Sequence, residues 1–156
     1  MTSITPCVWF DGRVQEALDF YTSVFDDAEV LDVNPTPEGF PGTPGEVLTA
    51  RLRIAGQEVM FLNGGPHYQL SPAFSFYLSV QGQDEVDRYW EALLDGGEPS
   101  QCGWLTDRFG VSWQVIPQEL ERLMADPDAQ KARRAAQAML QMVKIDVSEL
   151  QRAYDG

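Results

Sequence analysis

The chain has 156 residues, of which 44% are hydrophobic, so it is long enough to bury the core of one globular domain and too apolar to be disordered. Its 24 acidic and 11 basic residues give a formal net charge of −13, and such a surface repels phosphate backbones and anionic lipid. We therefore expect no nucleic acid and no membrane among its partners. No apolar run approaches the roughly 20 residues that a bilayer-spanning helix needs.

The termini and the cysteines favour an intracellular setting. The N-terminal sequence lacks the basic start and the apolar stretch of a signal peptide. Cys7 and Cys102 are the only cysteines, and two cysteines provide neither a disulfide framework nor a metal-ligand spacing. A reducing cytoplasm is the expected compartment. The sequence leaves open whether the two thiols meet in space.

The first half of the chain predicts a strand, a helix and three further strands. A strand over 4–10 ends at a turn, and apolar residues then recur at helical spacing as far as residue 25. A strand over 28–33 precedes a loop over 34–45 that holds four prolines and three glycines, a composition typical of a binding loop. A hairpin with its turn at 55–57 joins the last two strands.

The second half repeats this order, which indicates an internal duplication. A strand over 73–80 is followed by a helical stripe that closes at Gly96 and Gly97, as a helix C-terminus does. Short strands are predicted over 99–104 and 105–108, and a final strand over 111–116 ends at Pro117.

A helical extension is predicted after residue 117. Asp126 is expected to be the N-cap of a helix with Pro127 at its first position, and Asp146 is expected to cap the last helix. The stripe of alanine and methionine along this extension is interpreted as packing rather than as a cofactor site. It could cover its own domain or a partner subunit.

Several sequence strings resemble the PhnB-like branch of the vicinal-oxygen-chelate superfamily, which includes glyoxalase I, extradiol dioxygenases and antibiotic-resistance proteins. They include Trp9-Phe10-Asp11-Gly12 and Asn63-Gly64-Gly65-Pro66. The specific signal is the combination of Cys102-Gly103-Trp104 with Gly110-Val111-Ser112-Trp113-Gln114-Val115-Ile116-Pro117. The resemblance implies an α+β domain over residues 1–117, built from two βαβββ modules at about 4–63 and 73–117 that form paired curved mixed sheets around a cleft. It also implies a homodimer and a helical C-terminal extension over 118–156, packed on the same domain or on the dimer partner.

Metal-dependent members of this superfamily take one ligand from the first and last strand of each half. Carried onto this chain, those positions fall on Pro6, on Phe61 or Asn63, on Ser75 and on Gln114. Proline has no donor atom in its side chain, and neutral oxygen ligands bind zinc, nickel or iron weakly. We therefore expect no metal and no other cofactor. The methyltransferase label common in this branch also lacks support, because no glycine-rich strand-to-helix turn is present to hold S-adenosylmethionine.

A neutral polar surface is expected where the metal would lie, with Ser112 and Gln114 on one side of the last strand. Gln114 either orients a carbonyl or amide of a ligand or bonds only within the sheet, and Trp104 could stack on a planar ligand. The expected ligand-binding residues are Asn63, Ser75, Tyr77, Cys102, Trp104 and Gln114.

The remaining reactive side chains receive structural interpretations. His67 is the only histidine, so a Cys-His or His-Asp relay would have no other base to use. It is expected to be an exposed loop residue, and the alternatives are a contact with ligand at the rim of the site or a role as catalytic base. Packing is favoured for Cys102, and Cys7 is expected to face the helix in the core. Asp107 and Arg108 are expected to be solvated turn charges.

Three functions remain in competition, and no catalytic residue is identified. The first is a metal-free small-molecule-binding domain. The alternative is a glyoxalase or dioxygenase type of enzyme with a noncanonical metal site or none. The third is a protein whose main role is self-association. The missing metal ligands favour the first.

Overall fold

The computed structural model describes all 156 residues, with eight strands and five helices. They divide into two compact units, the N-terminal unit (Met1–Leu70) and the C-terminal unit (Ser71–Gly156). The N-terminal unit contains β1 (Cys7–Phe10), α1 (Val14–Val24), β2 (Glu29–Pro35), β3 (Val47–Ile54) and β4 (Gln57–Asn63). The C-terminal unit contains β5 (Ser75–Val80), α2 (Gly82–Leu94), β6 (Glu98–Pro99), β7 (Trp104–Thr106), β8 (Ser112–Pro117), α3 (Gln118–Met124), α4 (Ala129–Met139) and α5 (Val147–Asp155).

Each unit holds one four-stranded mixed sheet, and the two sheets have equivalent strand orders. These are β1-β4-β3-β2 and β5-β8-β7-β6. The first strand of each unit runs parallel to the last strand of the βαβββ pattern, and the other neighbours are antiparallel. The α+β fold with two βαβββ modules and a helical tail is therefore confirmed. The domain limits 1–117 and 118–156 stay a prediction, and the tail belongs to the same compact unit as the second module.

The core of the N-terminal unit lies between α1 and one face of its sheet. Helical spacing brings Val14, Ala17, Leu18 and Tyr21 to one side of α1, and all four are buried. Strand alternation places Val8, Phe10, Ala50, Leu52, Val59 and Phe61 in this core. Cys7 is exposed, because it alternates with Val8 and so lies on the opposite face of β1. The expectation that Cys7 is a core residue was wrong.

The core of the C-terminal unit is built in the same way around α2. Val86, Trp90 and Leu93 are buried on one side of this helix. Gly96 adopts a φ of +80° after the helix, and the N–H of Gly97 donates to the carbonyl of Leu94 at 2.8 Å, as the predicted helix end requires.

The strand predicted over 99–104 is mostly a turn. Only two residues form β6, and the N–H of Ser100 bonds the carbonyl of Trp104 at 2.9 Å across the turn. Cys102 and Gly103 have φ values of +58° and +85°, which a strand cannot contain.

The helical tail has a small apolar core of its own with the end of β8. Its buried members are Ile116, Leu120, Leu123, Ala135, Ile145 and Leu150. Asp146 caps α5 through the N–H of Glu149, as predicted. The predicted cap of α4 was wrong by two residues. Asp128 accepts from the N–H groups of Gln130 and Lys131, so Pro127 precedes the cap, where its missing N–H costs nothing.

The helices are short, and the longest, α2, has 13 residues. None combines the length with the apolar character that crossing a bilayer demands.

Candidate functional site

One face of the sheet in the C-terminal unit carries most of the predicted ligand-binding residues. Alternation directs Phe76, Leu78, Trp113 and Val115 towards α2. The rings of Phe76 and Trp113 pack there at a tilt of 40°, with centroids 4.8 Å apart. The opposite face, here called the polar face, presents Ser75, Tyr77, Ser79, Trp104, Thr106, Ser112 and Gln114.

Strand register brings three of the predicted residues into one row. Tyr77 on β5 and Trp104 on β7 are both the register partners of Gln114 on β8, so Gln114 lies between two aromatic side chains. The next row contains Ser75 and Thr106 on either side of Ser112. Direct cross-strand neighbours have Cβ atoms about 5 Å apart, so both rows fall within reach of one small molecule.

Gln114 forms the hydrogen bond within the sheet that was one of its two expected roles. Its Nε2 donates to the hydroxyl of Ser75 at 3.1 Å, a diagonal contact that bends the amide towards the row of Ser112. No group of the protein donates to its Oε1, and the side chain is only half-buried. An oriented amide oxygen is therefore left on the polar face as a hydrogen-bond acceptor.

Ser112 is the residue of this face whose importance the sequence did not reveal. It is only 3% exposed, and its Oγ is the one buried side-chain polar atom of the chain without a hydrogen-bond partner. An unsatisfied buried hydroxyl costs about 1–3 kcal/mol. The residue type gave no signal, because a serine in a strand is ordinary; burial and the missing partner distinguish it.

Tyr77 is tied to the helical tail. Its hydroxyl donates to Oε1 of Glu121 on α3 at 2.6 Å, although the residue is 52% exposed. Partial burial and this carboxylate raise the pKa of the Tyr77 phenol well above its usual range. Tyr77 is therefore neutral at physiological pH, and its hydroxyl proton is donated to Glu121 in a hydrogen bond. Its ring remains part of the polar face.

Asn63 lies in the N-terminal unit, and its amide has two structural partners. Its Oδ1 accepts from the N–H of Val14 at 3.2 Å, and its Nδ2 donates to the carbonyl of Val47 at 2.8 Å. Residue 13, at the N-cap position of α1, makes no capping bond through its own side chain, so Asn63 supplies that acceptor from β4. This use of both amide groups gives Asn63 a structural role; ligand binding by it stays a prediction.

The backbone at Cys102 forms hydrogen bonds with the helical tail. Its N–H donates to the carbonyl of Met142 at 2.8 Å, and the N–H of Gly103 donates to the carbonyl of Val143 at 2.7 Å. A Cβ on Gly103 would lie 3.0 Å from Cγ1 of Ile145, so a glycine is needed for this approach. The Cys102 thiol lies in the turn before β7, outside the two rows of the polar face.

Asp107 is not the solvated turn charge that the sequence suggested. It is 3% exposed; Oδ1 accepts from the N–H groups of Phe109 and Val111, and Oδ2 accepts from Nε1 of Trp113 at 2.9 Å. Arg108 is also engaged, since its guanidinium bonds the carbonyl and the carboxylate of Asp95. Both residues hold the turn before β8, and neither belongs to the polar face.

The residues at the superfamily's metal positions do not fit a divalent metal. Pro6 offers no side-chain donor, and Phe61 is fully buried in the core. Asn63, Ser75 and Gln114 offer only neutral oxygens, and those of Asn63 and Ser75 already accept hydrogen bonds. Nowhere does the chain gather three or more His, Cys, Asp or Glu side chains in a metal-binding arrangement. His67 is exposed, as predicted.

The strand-to-helix turns do not fit the nucleotide part of S-adenosylmethionine either. At the start of α1 the N–H of Val14 is taken by Asn63. At the start of α2 the N–H of Gly82 donates to the carboxylate of Glu119 at 3.0 Å, and the N–H of Gln81 donates to Glu85 at 2.7 Å. Side chains thus occupy the backbone donors that a glycine-rich turn would offer to a cofactor.

Two βαβββ modules with equivalent strand orders define a protein of the vicinal-oxygen-chelate superfamily. Residues 2–116 match a family model described as 3-demethylubiquinone-9 3-methyltransferase. The chain belongs to this family, the PhnB-like branch of the superfamily. The matched range ends just before the helical tail begins. A search of curated proteins gave no match.

Solved structures agree with this assignment. A PhnB protein from Bacillus cereus, described as a 3-demethylubiquinone-9 3-methyltransferase, is 31% identical with a TM-score of 0.68, over 74% of this chain and 99% of that one. Protein PA1353 from Pseudomonas aeruginosa is 25% identical with a TM-score of 0.62, over 75% and 98% of the two chains. The fosfomycin resistance protein FosX from Listeria monocytogenes, at 15% identity and a TM-score of 0.56 over 78% and 94%, shares the fold.

Proposed function

We propose that this protein is a metal-free small-molecule-binding protein and that the polar face of the C-terminal unit holds the ligand. The observation that carries this proposal is the buried, unpartnered hydroxyl of Ser112. Native proteins rarely leave such a group unsatisfied, and a ligand atom that accepts its proton would remove the cost. Oε1 of Gln114, on the same strand and the same face, is a second unused polar atom.

The aromatic residues beside Gln114 support a planar ligand. Trp104 is half-buried in the same row, and an indole offers a large, rigid surface for stacking. The remaining residues of the polar face are uncharged, so a ligand there would be held by stacking and by a few fixed hydrogen-bonding groups rather than by an ion pair. Ser75 contributes by holding the Gln114 amide in one orientation.

The glyoxalase or dioxygenase alternative needs a Lewis acid to polarise paired substrate oxygens. The residues at the metal positions do not suit such an ion, and the polar face itself carries no carboxylate and no histidine. Methyl transfer, which the family description names, receives no support from the strand-to-helix turns. We therefore assign binding and no catalytic residue.

The test begins with protein purified without a histidine tag or chelator. We expect metal content far below one ion per chain by plasma mass spectrometry, and no thermal shift with zinc, nickel, manganese or iron. A library of small aromatic compounds is then screened by thermal shift, with binding confirmed by quenching of tryptophan fluorescence. Hits that bind wild-type protein and lose affinity in Trp104→Ala support the proposal, whereas stoichiometric metal would overturn it in favour of the enzyme.

We further propose that the protein forms a homodimer and works in the cytoplasm. The superfamily resemblance supports the first point, since related domains commonly associate in pairs. The two free cysteines fit a reducing compartment. Light scattering coupled to gel filtration tests the dimer, which would elute with twice the mass of one chain; a monomeric mass at micromolar concentration would contradict it.

A further inference from the structure

We propose that the ligand of the polar face is a neutral planar molecule with an amide-type edge, meaning a ring carbonyl next to a ring N–H. This inference rests on the proposed function and adds the chemical class of the ligand. It follows from one donor, one acceptor and the absence of positive charge on the polar face.

The donor is the hydroxyl of Ser112. A serine hydroxyl can donate one hydrogen bond, and here the proton has no acceptor within the protein. Because the group is 3% exposed, bulk water does not compensate for the missing bond. A ligand carbonyl oxygen is the simplest neutral group that would satisfy it.

The acceptor is Oε1 of Gln114. Nε2 of the same amide is held by Ser75 at 3.1 Å, which fixes the orientation of the amide and leaves its oxygen as the unused acceptor. A ligand N–H would satisfy this oxygen. Ser112 and Gln114 are two residues apart on β8 and share one face, so a donor and an acceptor on one edge of a small ring can meet both.

The charges argue against an anionic ligand. None of the residues of the polar face is basic, and the hydroxyl of Tyr77 bonds the carboxylate of Glu121, a negative charge. A ligand carboxylate or phosphate would lose its hydration without gaining an ion pair, which is unfavourable in a partly buried site. A neutral lactam avoids this loss and can still stack on Trp104.

The experiment compares three probes of similar shape: 2-quinolone, which has the lactam edge, quinoline, which lacks it, and quinoline-2-carboxylate, which is anionic. Affinities are measured by calorimetry and by tryptophan fluorescence on wild-type protein. We expect 2-quinolone to bind at least tenfold more tightly than either other probe. A site built around buried polar groups rejects ligands that leave those groups unpaired.

Two serine variants test whether Ser112 is responsible for the preference for 2-quinolone. Ser112→Ala should reduce the affinity for 2-quinolone at least tenfold, to the level of quinoline, and should leave quinoline binding unchanged. The matched control is Ser79→Ala, an exposed serine of the same face, which should keep the preference for the lactam. Ser112→Ala is expected to fold, because removing an unsatisfied hydroxyl does not weaken the apoprotein.

The outcomes separate this inference from the proposed function. If quinoline or its carboxylate binds as well as 2-quinolone, and this binding is lost in Trp104→Ala, the ligand class is wrong and the binding site stands. If Ser112→Ala keeps the full preference for the lactam, Ser112 is not the donor and the inference fails. If none of the three probes binds, the lactam class is rejected, and the broader library decides the proposed function.

Discussion

Nε1 of Trp113 donates a hydrogen bond of 2.9 Å to Oδ2 of Asp107, and both residues are buried. Oδ1 of the same carboxylate accepts from two backbone N–H groups of the following turn. One carboxylate therefore fixes the turn, the start of β8 and the orientation of the indole that packs behind the polar face.

Asp107→Asn should destabilise the protein strongly, because the new amide places an N–H₂ group against one of these three donors. The expected loss in the free energy of unfolding is about 2–4 kcal/mol, the cost of a charged hydrogen bond together with an unsatisfied buried group. Urea denaturation measures it. The control is Asp95→Asn, whose side chain is 76% exposed and pairs with Arg108. A similar loss in both variants would contradict the structural role given to Asp107.

Gly97→Ala should disturb the contact between β6 and β7. A Cβ at this position would lie 2.1 Å from the carbonyl oxygen of Thr106 and 2.8 Å from Cα of Asp107, and backbone atoms cannot move aside cheaply. We expect a loss of about 2–3 kcal/mol in the free energy of unfolding, measured in urea. Glu98→Ala, at the exposed neighbouring position, should change it by less than about 0.5 kcal/mol. Unchanged stability of Gly97→Ala would show that this approach is looser than described.

Ile145→Ala should loosen the helical tail. This side chain is fully buried, and its Cγ1 packs near the turn at Gly103. The expected cost is about 3 kcal/mol, with faster cleavage of the tail by trypsin as a local readout. Leu140→Ala is the control, since Leu140 is 58% exposed. If trypsin cleaves both variants at the wild-type rate, Ile145 does not hold the tail.

The ion pair between Asp87 and Lys144 should make a small contribution to the stability of the folded protein, and this contribution should be lost in acid. The Lys144 ammonium, 2.7 Å away, lowers the pKa of the Asp87 carboxyl, and a hydrogen bond from Gln83 adds to the effect. A carboxyl with a lowered folded pKa stabilises the protein above its unfolded pKa of about 4 and loses this contribution as the pH falls through the folded value.

Asp87→Asn should therefore unfold slightly more easily than wild type at pH 7, by about 0.5 kcal/mol because both side chains are more than one third exposed. The two proteins should converge as the pH falls below the lowered folded pKa of Asp87. Thermal unfolding at several pH values measures the difference, with the exposed Asp84→Asn as control. A gap between wild type and Asp87→Asn that widens in acid would reverse the sign argued here.

Gln114→Leu should weaken ligand binding with little effect on folding. The substitution removes the amide oxygen from the polar face and frees the Ser75 hydroxyl, while a half-buried leucine retains the packing between Tyr77 and Trp104. We expect at least a tenfold loss of affinity for any library hit, measured by calorimetry. Gln137→Leu, at an exposed position of α4, should bind like wild type. Full affinity in Gln114→Leu would move the site away from this row.

The fold was predicted well because its signals are local. Period-two strands, the helical stripe from Val86 to Leu93 and the glycines at 96 and 97 each act within a few residues, and the structure has these elements. The sequence predictions were wrong where packing against other parts of the chain determines the local structure. A strand predicted over 99–104 became a turn that docks on Met142 and Val143, and Cys7 faced outward because the phase of β1 is set by its packing on α1.

The candidate site also combines features that the sequence predicts with features that only the structure shows. Alternation along β5 and β8 predicts that Ser75, Tyr77 and Gln114 share one face, and the strand register of the structure sets Trp104 beside Gln114. The sequence by itself thus determined the fold class, the lack of strong metal ligands at the superfamily's metal positions and the residues that share one face of the last strand. Residue type and the period of the strand carry that information. Only the tertiary structure decided that Asn63 caps α1, that Asp107 is buried and that Ser112 lacks a partner, since hydrogen bonds between residues distant in sequence leave no periodic signal.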